Sequence, residues 1–453
     1  MSPTTPLTPA QLEQSLNLVW VLIGAFLVMF MQVGFALVET GFTRAKNALH
    51  TMAMNLVIYP VGVLGFWLVG YALMFGGVHD WPTLGPYQPG AREVGFYLRG
   101  HLIGLFGASK FALVSVAQDP ANLAMFLFAT VFMDTAATIP TGAMAERWRF
   151  RSFMLYGVFM STLLYPLYGN WVWGGGWLAT LGLSAGLGHG HVDFAGSTVV
   201  HLTGGCTALA GTLVLGPRLG KFRRDGTIFA TPGHNLPFAV VGTLILAFGW
   251  FGFNASSTLS ATDPRVAAIA VNTLLASAAG AVAALLWIWS SARKPDVGMT
   301  CNGLLGGLVS ITGCCAFVSP AAAVLIGGLA GLLTVWGVLV LERKLRVDDP
   351  VGAIPVHGLC GAWGGLALGL FADGSYGAGW NGVEGPVRGL FFGDGSQLAA
   401  QLCGVLANLL FVFPAALGFF TLLERTIGNR VPAEVEYSGL DALEMGSDAY
   451  PRV

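Results

Sequence analysis

Long apolar runs dominate the chain, separated by short segments in which charge is concentrated. Runs of the roughly 20 residues needed to cross a hydrocarbon core fall near 16–40, 52–76, 122–145, 152–170, 194–216, 236–257, 266–291, 299–318, 320–341, 351–371 and 397–424. They predict an all-α polytopic membrane protein with eleven transmembrane helices. The connecting segments alternate in charge. One set carries Arg44, Lys46, Arg147, Arg149, Arg151, Arg218, Lys221, Arg223, Arg224, Arg293, Lys294, Arg343, Lys344, Arg346, Arg425, Arg430 and Arg452; the other carries only Arg92, Arg99, Lys110, Arg265 and Arg388. Basic loops stay in the cytoplasm, so the N-terminus is expected outside and the C-terminus inside. No basic residue precedes Arg44, and the first helix is therefore expected to remain in the mature chain.

Composition narrows the class. Of 453 residues, 55% are apolar, 10% are charged and 64 are Gly, the balance of closely packed membrane helices and not of a soluble enzyme. A net charge of -1 supplies no basic face for nucleic acid. The longer external segments, 77–121 and 372–396, are rich in Gly, Pro and aromatics and are expected to cover an outer vestibule.

Two histidines interrupt the apolar pattern in the same frame. Asp193-Phe-Ala-Gly196-Ser-Thr-Val-Val200-His201 and Asp349-Pro-Val-Gly352-Ala-Ile-Pro-Val356-His357 both read D-x2-G-x3-V-H, with Gly205 and Gly361 four residues further on. An ionisable group in a membrane segment costs on the order of 3 kcal/mol, so its presence is a functional signal. The copies lie in helices 5 and 10, five helices apart, which turns the second half upside down relative to the first and predicts an inverted repeat. Eight residues at about 1.5 Å each put each imidazole roughly 12 Å along its helix, approaching the midplane from opposite faces. A lone histidine would read as a core residue bonded to a carbonyl; the repeat favours one shared site.

These stretches carry a resemblance to the Amt/Mep branch of the Amt/Mep/Rh ammonium transporter family, over nearly the whole chain. It rests on ETGFTRAKN (39–47), TAATIPTGAMAERWRF (135–150), VWGGG (172–176), DFAGSTVVH (193–201), GWFGFNASS (249–257), RVDDP (346–350), VHGLCG (356–361) and GLDALEMGSDAY (439–450). The resemblance implies a multi-pass protein of the plasma (cytoplasmic, in bacteria inner) membrane, a homotrimer with one pore per subunit. It divides the chain into a transporter domain, 1–424, with inverted halves about 16–216 and 236–371 plus helix 11 about 397–424, and a cytoplasmic regulatory tail, 425–453.

By the same resemblance Phe132, Trp173 and Ser257, with Phe128 one turn before Phe132, form an external recruitment site. Aromatic faces attract a small cation and a hydroxyl accepts a hydrogen bond from it. Phe132 and Phe253 form the gate, and His201 and His357 line the pore. Sodium and potassium cannot give up their charge, whereas ammonium releases a proton and crosses an apolar pore as ammonia; a histidine relay returning the proton would make the movement net ammonium. Asp193 reads both as an outer electrostatic element and as a helix start accepting from exposed N–H groups, and Asp349 beside Asp348 reads as an inner helix start. Methylammonium is a second expected substrate, and no cofactor is expected. A PII-type signal protein is implied at the cytoplasmic face, although Met445 stands where relatives commonly have His.

Other features are absorbed by simpler readings. Gly182-Leu-Ser184-Ala-Gly186 fits G-x-S-x-G but lacks the strand-to-helix elbow of a hydrolase, and reads as an outer loop. His189 and His191 read as an exposed H-x-H loop without a third metal ligand. The six cysteines have no zinc spacing and read as packing residues. Asp134, inside helix 3, reads as hydrogen-bonded between helices or as an extra electrostatic element. Transport is the leading function; an ammonium sensor acting through its tail is the alternative, a gas channel of the Rh type is disfavoured by Trp173, and hydrolysis is the most distant.

Overall fold

A computed structural model describes residues 7–85, 90–375 and 379–450. The chain is predominantly helical. The long helical segments are α1 (Pro9–Phe42), α2 (Ala45–Phe75), α3 (Pro120–Ala143), α4 (150–173), α5 (Ser197–Leu215), α6 (Leu236–Thr258), α7 (Arg265–Ala292), α8 (Val297–Thr312), α9 (Pro320–Leu345), α10 (Ile354–Phe371) and α11 (Gly395–Thr426). Among the described residues nine of these, all but α4 and the shorter α8, are long and apolar enough to cross a membrane.

Local chemistry sets the boundaries. Side-chain oxygens of Thr8, Asp119, Asn235, Asp296, Ser319 and Asp394 accept from the first free amides of α1, α3, α6, α8, α9 and α11, which satisfies donors that have no partner within their own helix. The Thr8–Gln11 capping box carries α1 several residues beyond its apolar run. The eighth run stops early: Phe194 and Ala195 donate to the carbonyls of Gly313 and Thr312, so residues 313–318 brace the entry to α5 instead of continuing α8.

At the centre α5 crosses α10. A side chain at Gly205 would collide with the backbone of Gly358, and one at Gly361 with that of Ser197 and Leu202. The glycines after the two histidines therefore permit the close approach. Both histidines lie on π-helical turns, Ser197–Leu202 and Ile354–Leu359, a local widening common at functional sites. α3 and α5 are largely enclosed, whereas α2 and α11 leave most of their apolar surface outward.

Several expectations change. The all-α class omits an antiparallel hairpin of β1 (Glu93–Leu98) and β2 (His101–Gly107) in the segment between α2 and α3. His189 and His191 are buried, not exposed, with 6% and 0% accessibility: His189 Nε2 lies 3.1 Å from the Gly385 carbonyl and His191 Nε2 lies 2.9 Å from Thr198 Oγ1. Ser184 sits in a short helix, Leu181–Ala185, its hydroxyl donating to Thr180 O. Asp134 is 2% exposed, yet Thr130 and Thr138 bond elsewhere and its Oδ1 has no partner among the described residues. The six cysteines are free, and all but Cys403 are buried.

The end of the bundle that gathers most of the basic loops is stitched by ions. Glu146 is paired with Arg44 and with Arg218 at 3.0 Å, and Arg218 with Asp348 at 2.8 Å. Burial opposes ionisation of Asp348 and Glu146, but the Arg218 contacts, with Arg147 beside Asp348 and Arg44 beside Glu146, outweigh it and hold both carboxyls below their ordinary range. The C-terminal segment folds onto the same end through α12 (Ala433–Ser438). Asp441 accepts from the amides of Leu49 and His50 at 2.9 and 2.8 Å, Glu444 accepts from Phe150 N, and Lys46 Nζ donates to the carbonyls of Glu436 and Tyr437.

Candidate functional site

Three helices, α3, α4 and α6, bring the predicted aromatic residues together at the end opposite the ion network. Phe128 and Phe132, one turn apart on α3, have ring centroids 4.6 Å apart. Trp173 ends α4 with its ring 6.1 Å from Phe132, edge to face. Ser257 lies in the last turn of α6, its hydroxyl donating to Phe253 O at 2.8 Å, which leaves its lone pairs to accept. Together they line a cavity of about 150 Å³. Its rim includes Trp81 and Trp380 from the connecting segments 77–121 and 372–396, the segments expected from their aromatic content to cover a vestibule.

Phe132 lines the cavity and stacks on Phe253 behind it, at 4.0 Å with planes 27° apart. Beneath Phe253 lies His201, at 5.6 Å between ring centroids, and Trp250 stacks on the same imidazole at 5.2 Å and 19°. His201 Nδ1 and His357 Nδ1 are 3.1 Å apart. Between neutral rings one Nδ1 must donate and the other accept. The donor ring then has a bare Nε2 and its partner carries Nε2–H, so the pair offers one acceptor and one donor along the path. His201 is 0% exposed, and its Nε2 has no partner among the described residues. On the far side His357 meets Phe35 at 6.1 Å and lines a small cavity of about 20 Å³ with Phe35, Glu39 and Asn302.

The two aspartates of the repeated frame build the turns that carry the histidines. Asp193 Oδ1 accepts from the amides of Gly196 and Ser197, both at 2.9 Å, and Oδ2 from those of Thr198 and Val199 and from the Thr198 hydroxyl at 2.7, 2.9 and 2.6 Å. Asp349 accepts from Val351, Gly352 and Ile354 at 3.3, 2.9 and 2.7 Å. Both chains turn at a glycine with positive φ, 120° at Gly196 and 79° at Gly352, a conformation that favours glycine. Asp193 meets the aromatic cavity through its backbone: Trp173 Nε1 donates to its carbonyl at 2.6 Å.

Sequence reasoning placed Phe128, Phe132, Trp173, Phe253, Ser257, His201, His357 and Asp193, and the structure brings all eight into one continuous column. It missed Trp250, whose signal was its position three residues before Phe253, and Glu39, a carboxylate within an apolar run. Among the described residues no group of three or more His, Cys, Asp or Glu is arranged to hold a metal ion.

Comparison with known proteins gives a consistent picture. The model of the Ammonium Transporter Family matches residues 19–450. The chain is 47% identical over 442 residues to ammonium transporter Amt2 of Archaeoglobus fulgidus, covering 97% of this chain and 89% of that protein. It is 35% identical to ammonium transporter Amt1 of Haloferax mediterranei, covering 98% and 81%. Among solved structures, one titled Sensor Amt Protein superposes with a TM-score of 0.82 at 34% identity, covering 96% of this chain and 99% of that one. Candida albicans Mep2 superposes at 0.79 with 27% identity, covering 93% and 87%.

Proposed function

The chain belongs to the ammonium transporter family, a family of transporters and not of enzymes, and from that premise we propose that this multi-pass membrane protein moves ammonium by stripping its proton and conducting ammonia. The observation that carries the reading is the histidine pair at 3.1 Å directly beneath a stacked aromatic gate. Ammonium enters the outer cavity, where Phe128, Phe132 and Trp173 present ring faces and Ser257 an acceptor. Such a cage favours a small, weakly hydrated cation. Opening the Phe132–Phe253 stack admits the substrate to an apolar path in which charge is costly. Potassium must carry its charge through; ammonium leaves its proton behind, and the acceptor and donor nitrogens of the pair guide ammonia. A proton handed along the same pair makes the movement net ammonium, and methylammonium is the analogue the cavity would admit.

The same reading extends to architecture. α1–α11 are eleven transmembrane helices, with α1–α5 and α6–α10 as inverted halves, the N-terminus outside and residues 425–453 a cytoplasmic tail. Support comes from the repeated Asp-to-His turns and from the basic loops gathered at one end. The exposed apolar faces of α1 (Ile23, Phe26, Phe30) and α6 (Leu244, Phe248) suit lipid or neighbouring subunits of a homotrimer in the cytoplasmic membrane. A PII-type protein would dock where the tail lies against α2 and α4.

A sensor is the second reading, favoured by the likeness to the structure titled Sensor Amt Protein and by the tail bonded to the start of α2. Ammonium pulses over proteoliposomes on a solid-supported membrane separate the two. Transport gives a saturating current with ammonium and none with potassium. Ammonium binding without current would overturn transport and leave the sensor.

A further inference from the structure

Glu39 stands apart from the mechanism above, yet it faces the pore. It lies near the inner end of α1, 3% exposed, and lines the cavity into which His357 opens, together with Asn302. Its carboxylate is held by neutral donors: Asn55 Nδ2 on α2 at 2.6 Å and the Thr141 hydroxyl on α3 at 2.9 and 2.7 Å. No ion pair involves it among the described residues, although Arg44 is only five positions away and is committed to Glu146. The titratable groups that face it are His357 from α10, Asp349 from the segment before α10, and Tyr156 from α4, whose hydroxyl donates to Ala137 O. None supplies a fixed positive charge. The cavity, about 20 Å³, holds about one water, and Glu39, Asn302 and His357 are polar groups to bind it. A carboxyl in these surroundings exists in either protonation state without breaking a salt bridge, which is what a proton carrier requires.

Building on the transport reading, we infer that Glu39 is the inner proton-exchange group of the pore, receiving a proton from the histidine pair across one water and delivering it to ammonia at the cytoplasmic mouth. In the first step the proton released by ammonium binds the bare Nε2 of His201, His201 passes its Nδ1 proton to His357 Nδ1, the Nε2–H bond of His357 breaks, and the water passes that proton on so that an O–H bond forms on Glu39 and the pair is left neutral. The pair then stands in the opposite tautomer, with His357 Nδ1 donating, and ring reorientation restores it for the next proton. In the second step the lone pair of ammonia takes the Glu39 proton; the O–H pair remains on the carboxylate, and ammonium leaves. No oxidant, metal or further reactant is needed.

Glu39→Gln keeps the size and one acceptor for Asn55 or Thr141 but cannot carry the proton. Proteoliposomes of wild type, Glu39→Gln and Glu39→Asp are compared in two assays: ammonium-evoked current, and uncharged ammonia flux read by an internal pH dye. The expected result is a fall in the Glu39→Gln current of roughly 100-fold, the scale of a lost acid–base group. Its ammonia flux stays within about twofold, and Glu39→Asp restores part of the current. A wild-type current and pH profile in Glu39→Gln would overturn the inference. So would current and flux lost together in both variants, which would mean that Glu39 only holds α1, α2 and α3 together. Absence of current in the wild-type arm would instead overturn the transport reading itself, and this inference with it.

Discussion

The two copies of the Asp-to-His turn solve one structural problem in opposite electrostatic settings. The copy at the aromatic end starts from Asp193, whose five hydrogen bonds all go to its own turn; Trp173, Phe132 and Phe253 stand around it, and Arg265, paired with Asp263, lies over the ring of the next residue, Phe194. The inner copy starts from Asp349, with three such bonds, and its neighbour Asp348 is bound into a buried network with Arg218, Glu146 and Arg44. The shared turn brings the two imidazoles together at the centre of the bundle, 3.1 Å apart between Nδ1 atoms; the two settings around it differ. An aromatic cavity can attract a cation without trapping it by full charge, whereas the opposite end is braced by ion pairs that, among the described residues, do not include Glu39 or Asp349.

The sharpest way to break this comparison is to remove the shared element. Asp193→Ala strands four buried amides at about 1–3 kcal/mol each, on the order of 4 kcal/mol or more in total. Asp349→Ala strands three and should be milder. Thermal unfolding in detergent would rank them, and equal melting points would remove the distinction. Next in size, Arg218→Ala leaves Glu146 and Asp348 buried without their shared partner, a cost of about 3–5 kcal/mol, with no counterpart at the aromatic end.

That network also has a pH signature. Asp348 and Glu146 have folded pKa values below their ordinary ones, so their stabilisation is complete above the unfolded values near about 4 and is lost as pH falls through the folded ones. Wild-type melting temperature should therefore be level from about pH 8 to 5 and drop below about pH 4. In Arg218→Ala, Arg44 still pairs with Glu146 and Arg147 still lies beside Asp348, so both carboxyls are held down less firmly and the drop below about pH 4 should be shallower than in wild type.

Changes at the aromatic end should alter recruitment and leave that pH profile untouched. Trp173→Leu removes a cation–π face of about 0.5–2 kcal/mol, raising the half-saturating ammonium concentration roughly 3- to 30-fold. Ser257→Ala, which loses one acceptor beside a solvated cavity, should raise it about fivefold or less. Concentration series of evoked current would check both.

The apolar runs and the repeated frame made much of this architecture legible, because burying backbone in hydrocarbon leaves little choice but helices. The histidine meeting was also legible, since a fixed rise per residue converts spacing into depth. Contacts made across the chain were not. Trp250 looks like any aromatic of an apolar helix until the fold sets its ring on the His201 imidazole of α5. His191 reads as loop because nothing in its neighbourhood predicts that Thr198, seven residues on, folds back to receive its ring. The β1–β2 hairpin is short and glycine-broken, with a register irregularity at Val94 and Gly95, so it leaves almost no alternating signature. Glu39 acquires meaning only when α10 sets His357 over the same cavity.

The central claim is that a histidine pair in a dry path lets ammonia pass and keeps alkali ions out. It is tested most directly by ammonium- and potassium-evoked currents from wild type and His201→Ala in the same liposomes. The account predicts a saturating ammonium current and no potassium current in wild type, with the variant losing either its ammonium current or its discrimination against potassium. A variant that kept both the wild-type ammonium current and the wild-type exclusion of potassium would contradict it.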